Sequence, residues 1–268
     1  VGWDIEFAKL DDKGMQEVFD MQMKEANNSF AKFIEKYYLS WINGVEERPQ
    51  MLHTLFKDRI APAVKNEQIY MIIVDNLRYD QYLVLRSTLS KYFNFENEDI
   101  IYSILPTATQ YARNAFFAGL LPSEIQKKYP EYWVGENEEG GKNSFEKELL
   151  QKQLERLGLD LRSTYRKILD LDQGKKLVEN IHQLKNNDLN VIVYNFVDML
   201  SHARTDMKMI RELADDEAAY RSLTASWFEH SPLNDIFKEI AATKAKVILT
   251  TDHGTVKVNK PVKVVGLK

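Results

Sequence analysis

Three short apolar runs constrain this chain more than any other feature, because each one stops at an acid. Ile69-Tyr70-Met71-Ile72-Ile73-Val74 is closed by Asp75, and Val191-Ile192-Val193-Tyr194-Asn195-Phe196-Val197 by Asp198. Val247-Ile248-Leu249-Thr250-Thr251 leads into Asp252-His253-Gly254. Runs that are β-branched and apolar at odd and even positions alike predict strands buried on both faces, as in a parallel sheet. An acid at the end of each puts carboxylates at the carboxyl edge of that sheet, where open α/β sheets hold their ligands. Three buried acids meeting there repel one another unless a cation neutralises them.

The surrounding pattern agrees with an α/β fold. Helices are expected over 80–93, 107–120, 144–157, 172–184, 206–227 and 233–243, with a further short strand over 100–105. Alternation of this kind predicts a mostly parallel sheet flanked by helices. The first ~65 residues contain no convincing strand. There Asn28-Ser29 offers an N-cap, and Phe30, Phe33, Ile34, Tyr37, Tyr38 and Trp41 recur at helical spacing until Gly44. That periodicity reads as a buried stripe, and a second helix is expected over 51–64. The chain is therefore divided into a helical lead-in, 1–66, and a sheet domain, 67–268. Between them in character is an exposed acidic loop, Gly135-Glu136-Asn137-Glu138-Glu139-Gly140-Gly141, placed to act as a lid.

Composition narrows the chemistry. The 268 residues include no cysteine, so a metal must be held by carboxylate, imidazole and hydroxyl groups, which suits zinc, manganese or magnesium. A net charge of -4 argues against an extended surface for duplex nucleic acid, while leaving room for a nucleotide or short oligonucleotide in a pocket. No apolar run approaches the ~20 residues needed to span a bilayer and no signal-peptide pattern opens the chain. A cytoplasmic setting is expected, and the start at Val1 suggests an excised piece.

The candidate chemical residues follow these strands. Thr107, after Pro106, is expected to open a helix, where free N–H groups and the helix dipole favour a phosphate or an alkoxide; an ordinary N-cap threonine reads the same way. Asp198 and His202 stand four apart, which puts both on one face of a helical turn. In Asp252-His253-Gly254 the glycine is expected to let the chain turn so that both side chains reach one cavity. His53, His182 and His230 read as surface residues.

Taken in order, IIVDNLRYDQY, LPTATQYARNAFFAGLLP, YNFVDMLSHAR and LTTDHGT resemble the alkaline phosphatase superfamily, in particular its PglZ branch. More narrowly they are similar to the effector domain of PorX-type response regulators, which control type IX secretion. The resemblance spans about 69–260 and implies two zinc sites. Asp75, Thr107, Asp252 and His253 would surround one, and Asp198 and His202 would hold the other together with a later histidine. No histidine follows His253, so the chain is expected to stop short of that ligand. The resemblance also implies in-line attack by Thr107 on a phosphodiester, a phosphothreonine intermediate, and a receiver domain ahead of the lead-in. Arg113 and Asn114, on the helix after Thr107, are candidates to bind a phosphate oxygen. Two other readings stand beside this one. One is a phosphomonoesterase or sulfatase, and the other a non-catalytic zinc-containing signalling effector that binds a protein partner or forms a homodimer.

Overall fold

The computed structural model describes residues 2–7, 13–45, 47–135 and 138–256. At its centre are four parallel strands in the order β2-β3-β1-β4. They are β1 (Ile69–Val74), β2 (Ser163–Ile168), β3 (Leu189–Tyr194) and β4 (Lys246–Thr250). Ile69 pairs with Leu189 on one side and with Lys246 on the other, so β1 and β3 fill the middle of the sheet. Every residue of both is buried, as their unbroken apolar composition requires.

The period of two along the strands sorts the core into two layers. Ile69, Met71 and Ile73, with Leu189, Val191 and Val193, face Leu52, Phe56, Ile60 and the helices Thr109–Ala118 and Glu146–Arg156. Tyr70, Ile72 and Val74, with Ile192 and Tyr194, face the helices Tyr79–Leu89, Leu171–Asn180 and Pro232–Ala241. The α/β architecture with a parallel sheet flanked by helices is thus as the sequence pattern indicates.

Several elements differ from expectation. β2 lies at a sheet edge, and its sequence STYRKI is mostly half-buried, so it lacks the apolar run by which the inner strands announce themselves. Residues 100–105 form no strand; Tyr102 makes only an isolated bridge with Met51. The stretch 206–227 is divided among three helices, Phe196–Asp206, Lys208–Leu213 and Glu217–Glu229.

Asn28-Ser29 does not cap a helix, because one 30-residue helix, Lys13–Ile42, runs straight through it. Gly44, at φ 68°, does stand just past its end in the left-handed conformation that suits glycine there. The aromatic stripe is only partly core. Trp41 is buried and packs edge-on to Tyr102, and Leu105 N–H donates to the Tyr38 hydroxyl at 2.7 Å. Phe30 and Phe33 remain exposed.

His53 is buried rather than on the surface, and its Nδ1 has no hydrogen-bond partner among the described residues. Burial, helped by Arg48, pulls its pKa down to about 4 from 6.5. Between those values the unfolded chain binds the extra proton and the folded one does not, so stability is full above about pH 6.5 and falls towards pH 4. A His53→Gln variant should therefore lose less stability across this window. Urea midpoints at both ends would check this, and equal losses would remove His53 as a contributor.

Candidate metal and active site

The carboxyl ends of β1, β2 and β3 border one cavity of about 510 Å³, and the Asp252-His253 turn after β4 meets Asp75 beside it. Asp75 follows β1 directly, and its N–H continues the ladder to Tyr194 O at 2.9 Å. One carboxylate oxygen, Oδ2, accepts from Arg113 Nη1 at 2.7 Å. The other, Oδ1, looks towards Thr109 Oγ1 at 3.4 Å and His253 Nε2 at 3.7 Å. Asn76 comes next with φ 59°, a left-handed conformation that asparagine tolerates better than most residues. That turn aims its N–H at Asp252 Oδ1 (3.2 Å) and its side-chain Nδ2 at Asp198 Oδ1 (3.3 Å). One residue thereby ties all three strand ends together.

Beyond β4 the chain is bent by hydrogen bonds. Thr251 Oγ1 accepts from Leu77 N–H and donates to His253 O, while Ser103 Oγ donates to Asp252 O at 2.7 Å. Gly254 is not among the residues with positive φ, so the turn does not use the conformational freedom expected of it.

Asp75, Asp252 and His253 are all buried, and one ligand atom from each lies within 4.8 Å of the others. Asp252 Oδ1 is occupied by the Asn76 and His253 N–H groups, whereas Oδ2 is buried with no partner among the described residues. Burial, and then the charge of Asp75, push the Asp252 carboxyl well above its ordinary range. An orphaned carboxylate oxygen facing a second carboxylate and an imidazole nitrogen is a donor set that fits a divalent cation. Thr109 Oγ1, 2.9 Å from His253 Nε2, borders the same point.

Asp198 and His202 do share one face of the helix Phe196–Asp206, with Asp198 Oδ2 3.5 Å from His202 Nε2. Burial and the charge of Asp75 raise the Asp198 carboxyl. His202 is 74% exposed, so this pair is open to solvent where the Asp75 group is closed. Among the described residues no third histidine or acid joins the pair. Lys260–Lys268, to which the reading of a missing late histidine referred, lies outside the described residues.

Thr107 is corrected by this geometry. The helix starts at Thr109 with Ala108 as its extended N-cap residue, leaving Thr107 exposed in the preceding turn while Thr109 reaches the cluster. The segment TAT offers two threonines two residues apart, and an N-cap preference alone selects the wrong one.

Arg113 and Asn114, the candidate phosphate ligands, are both buried and hydrogen-bonded within the protein, and Arg113 also lines the cavity. Arg113 joins Asp75 to Glu146 through its Nη1 and Nε, and Glu146 also accepts from the Tyr165 hydroxyl. Asn114 Nδ2 donates to Lys142 O, and its Oδ1 accepts from Asn143 Nδ2, which also reaches Thr109 O. Asn114 thus holds residues 141–144, where the acidic loop ends and the next helix approaches, against the cavity; Glu136 and Asn137 of that loop lie outside the described residues. Sequence reasoning missed Asn76, Thr109, Asn143, Glu146 and Lys167. Of these only Asn76, a residue tolerant of left-handed backbone directly after a strand-end acid, carries a local signal.

Asn76→Ala removes the bond to Asp198 and puts an alanine at positive φ. It should destabilise the fold by about 1–3 kcal/mol. Asn76→Gly keeps the backbone at ease and should recover part of that loss. Denaturant midpoints of the two variants check the partition; equal losses would mean the backbone conformation contributes nothing.

With the geometry in view, the chain can be placed among known proteins. Residues 1–42 match the PorX response regulator linker domain. A search of curated proteins found no match. Residues 55–268 match the BREX system PglZ alkaline phosphatase-like domain. That match covers most of the chain and includes every strand and every residue of the cluster, so the chain belongs to the PglZ family of alkaline-phosphatase-like domains.

Proposed function

We propose that this protein is a zinc-dependent phosphohydrolase, acting on phosphodiesters such as nucleotides or short oligonucleotides, with Thr109 as nucleophile. The observation that carries this reading is the position of Thr109 Oγ1. It stands at the first turn of its helix, 2.9 Å from His253 Nε2 and 3.4 Å from Asp75 Oδ1. The helix terminus adds a positive dipole and free N–H groups where a phosphoryl oxygen would sit.

Asp75, Asp252 and His253 would hold one zinc ion, and Asp198 with His202 would contribute to a second. Zinc so held would supply charge to stabilise the developing phosphoryl anion and lower the proton affinity of a neighbouring hydroxyl. The chain's own residues do the rest. Arg113 fixes which oxygen of Asp75 faces the cluster, and the hydrogen bonds of Thr251 and Ser103 fix the Asp252-His253 turn. Thr109 Oγ, its proton given up to solvent, attacks phosphorus in line as the opposite P–O ester bond breaks and the alcohol leaves. Water then attacks the phosphorus of the phosphothreonine, the bond to Thr109 Oγ breaks, the phosphoryl product leaves and the threonine hydroxyl is restored. The cavity is larger than a bare phosphate needs, which favours an ester with a sizeable organic group over inorganic or very small substrates. Preference for diesters rests on the resemblance to PorX-type effectors.

The match of residues 1–42 to a response regulator linker supports a place as the output domain of a two-component regulator. In this reading residues 1–66 are the lead-in, residues 67–268 the cytoplasmic effector domain, and type IX secretion the process governed. Among the described residues no helix is long and apolar enough to cross a membrane. The same match favours a second reading, in which zinc is structural and the protein acts by binding a partner or by dimerising.

Metal content by mass spectrometry should give about two zinc ions per chain. One should be lost in Asp252→Asn and the other in Asp198→Asn; a metal-free parent protein would sink the dinuclear site. Thr109→Ala should lower turnover of bis-nitrophenyl phosphate by roughly 10³-fold or more, with zinc retained. Thr107→Ala should stay within about twofold of the parent, as surface substitutions do. Turnover that survives Thr109→Ala would exclude this nucleophile. Turnover absent from a zinc-loaded parent would favour the binding role, and faster hydrolysis of nitrophenyl phosphate would favour the monoesterase.

A further inference from the structure

The cavity has two walls of opposite chemistry. One carries Asp75 and Asp198, with Asp252 close behind. The other is built from Gly141–Ser144 and from the end of β2, where Tyr165, Lys167 and Leu169 line the space. A phosphoester anion entering here meets carboxylates on the first wall, so its approach depends on cations.

The described lining residues include three cations, Arg113, Lys142 and Lys167. Two are already committed. Arg113 is 1% exposed between Asp75 and Glu146. Lys142 Nζ binds the carbonyls of Gly135 and Glu138, its own loop.

Lys167 differs. Its Nζ donates to Asn143 O at 3.1 Å and lies 3.4 Å from Glu146 Oε2, at one-quarter side-chain exposure. An ammonium has three donors, so one direction is left towards the cavity. Glu146 binds it loosely because that carboxylate already serves Arg113 and Tyr165. Burial pulls Lys167 down from the ordinary lysine range, although Glu146 acts the other way, and an anion bound in the cavity would offset that cost.

Asn195 supplies a second donor. Its Oδ1 accepts from Arg113 Nη1 at 3.4 Å, which turns Nδ2 away from the guanidinium, and the residue lines the same cavity at the carboxyl end of β3.

We infer that Lys167 and Asn195 form the anion subsite of this cavity and take the non-bridging oxygens of the substrate's phosphoryl group. The inference rests on the phosphohydrolase reading and adds to it the residues that recognise the substrate's charge. It also gives β2, a strand remote in sequence from every metal-binding candidate, a role at the site.

The test is binding of inorganic phosphate to the zinc-loaded full chain by calorimetry, beside KM for bis-nitrophenyl phosphate. Lys167→Gln should keep its zinc and its melting temperature, weaken phosphate binding by about tenfold or more, and raise KM more than it lowers kcat. Lys167→Arg should restore most of the affinity, which a loss of packing would not permit. Asn195→Asp, which places a carboxylate on the subsite, should weaken phosphate further.

Unchanged phosphate affinity and KM in Lys167→Gln, with an active parent, would overturn the subsite and leave the phosphohydrolase reading intact. A zinc-loaded parent that neither binds phosphate nor hydrolyses any ester would overturn both.

Discussion

The ion pair that joins Asp75 to Glu146 through Arg113 is the interaction on which the rest of the arrangement depends. All three side chains are buried, where an unpaired charge is far more costly than a well-paired one. Arg113 occupies one oxygen of Asp75 and leaves the other facing the cluster. It also stands four residues after Thr109, on the same face of the same helix. Docking Arg113 on Asp75 therefore presents Thr109 to the cluster at the same time. Glu146, from a helix packed on the first, completes the clamp and locks both helices over one face of the sheet.

The two candidate metal positions differ in how they are supported. Asp75, Asp252 and His253 are buried and cross-linked by Asn76, Thr251 and Ser103, so their positions follow from the sheet itself. Asp198 and His202 ride on the first turns of a helix that lies at the edge of the core, and His202 is mostly exposed. A rigid group can hold an ion through preorganised ligands alone. An open pair needs further ligands, from solvent, substrate or other parts of the protein.

Much of this was readable in the residues. β1 and β3 were legible because burial on both faces demands an unbroken apolar run, and the acids that close the runs stood out for the same reason. β2 was not, since an edge strand is permitted Ser, Arg and Lys and carries no such run. The helix boundary is misplaced by two residues because capping preference acts on residue type, while the helix starts at Thr109 after an extended Ala108 that offers no side-chain cap. His53 looked like a surface histidine because nothing local marks its burial.

By itself, then, the sequence determined the class of fold, the set of strand-end acids and the family to which the motifs point, because these depend on local pattern: period, β-branching and the position of an acid after a run. Tertiary structure alone decided which threonine meets the cluster, that Arg113 and Asn114 support the site from within, and that Lys167 faces the cavity from β2. Those outcomes depend on contacts between residues tens of positions apart, such as Arg113 with Glu146 and Asn76 with Asp252. A spacing rule carries no information about such contacts until the sheet order has brought the partners together.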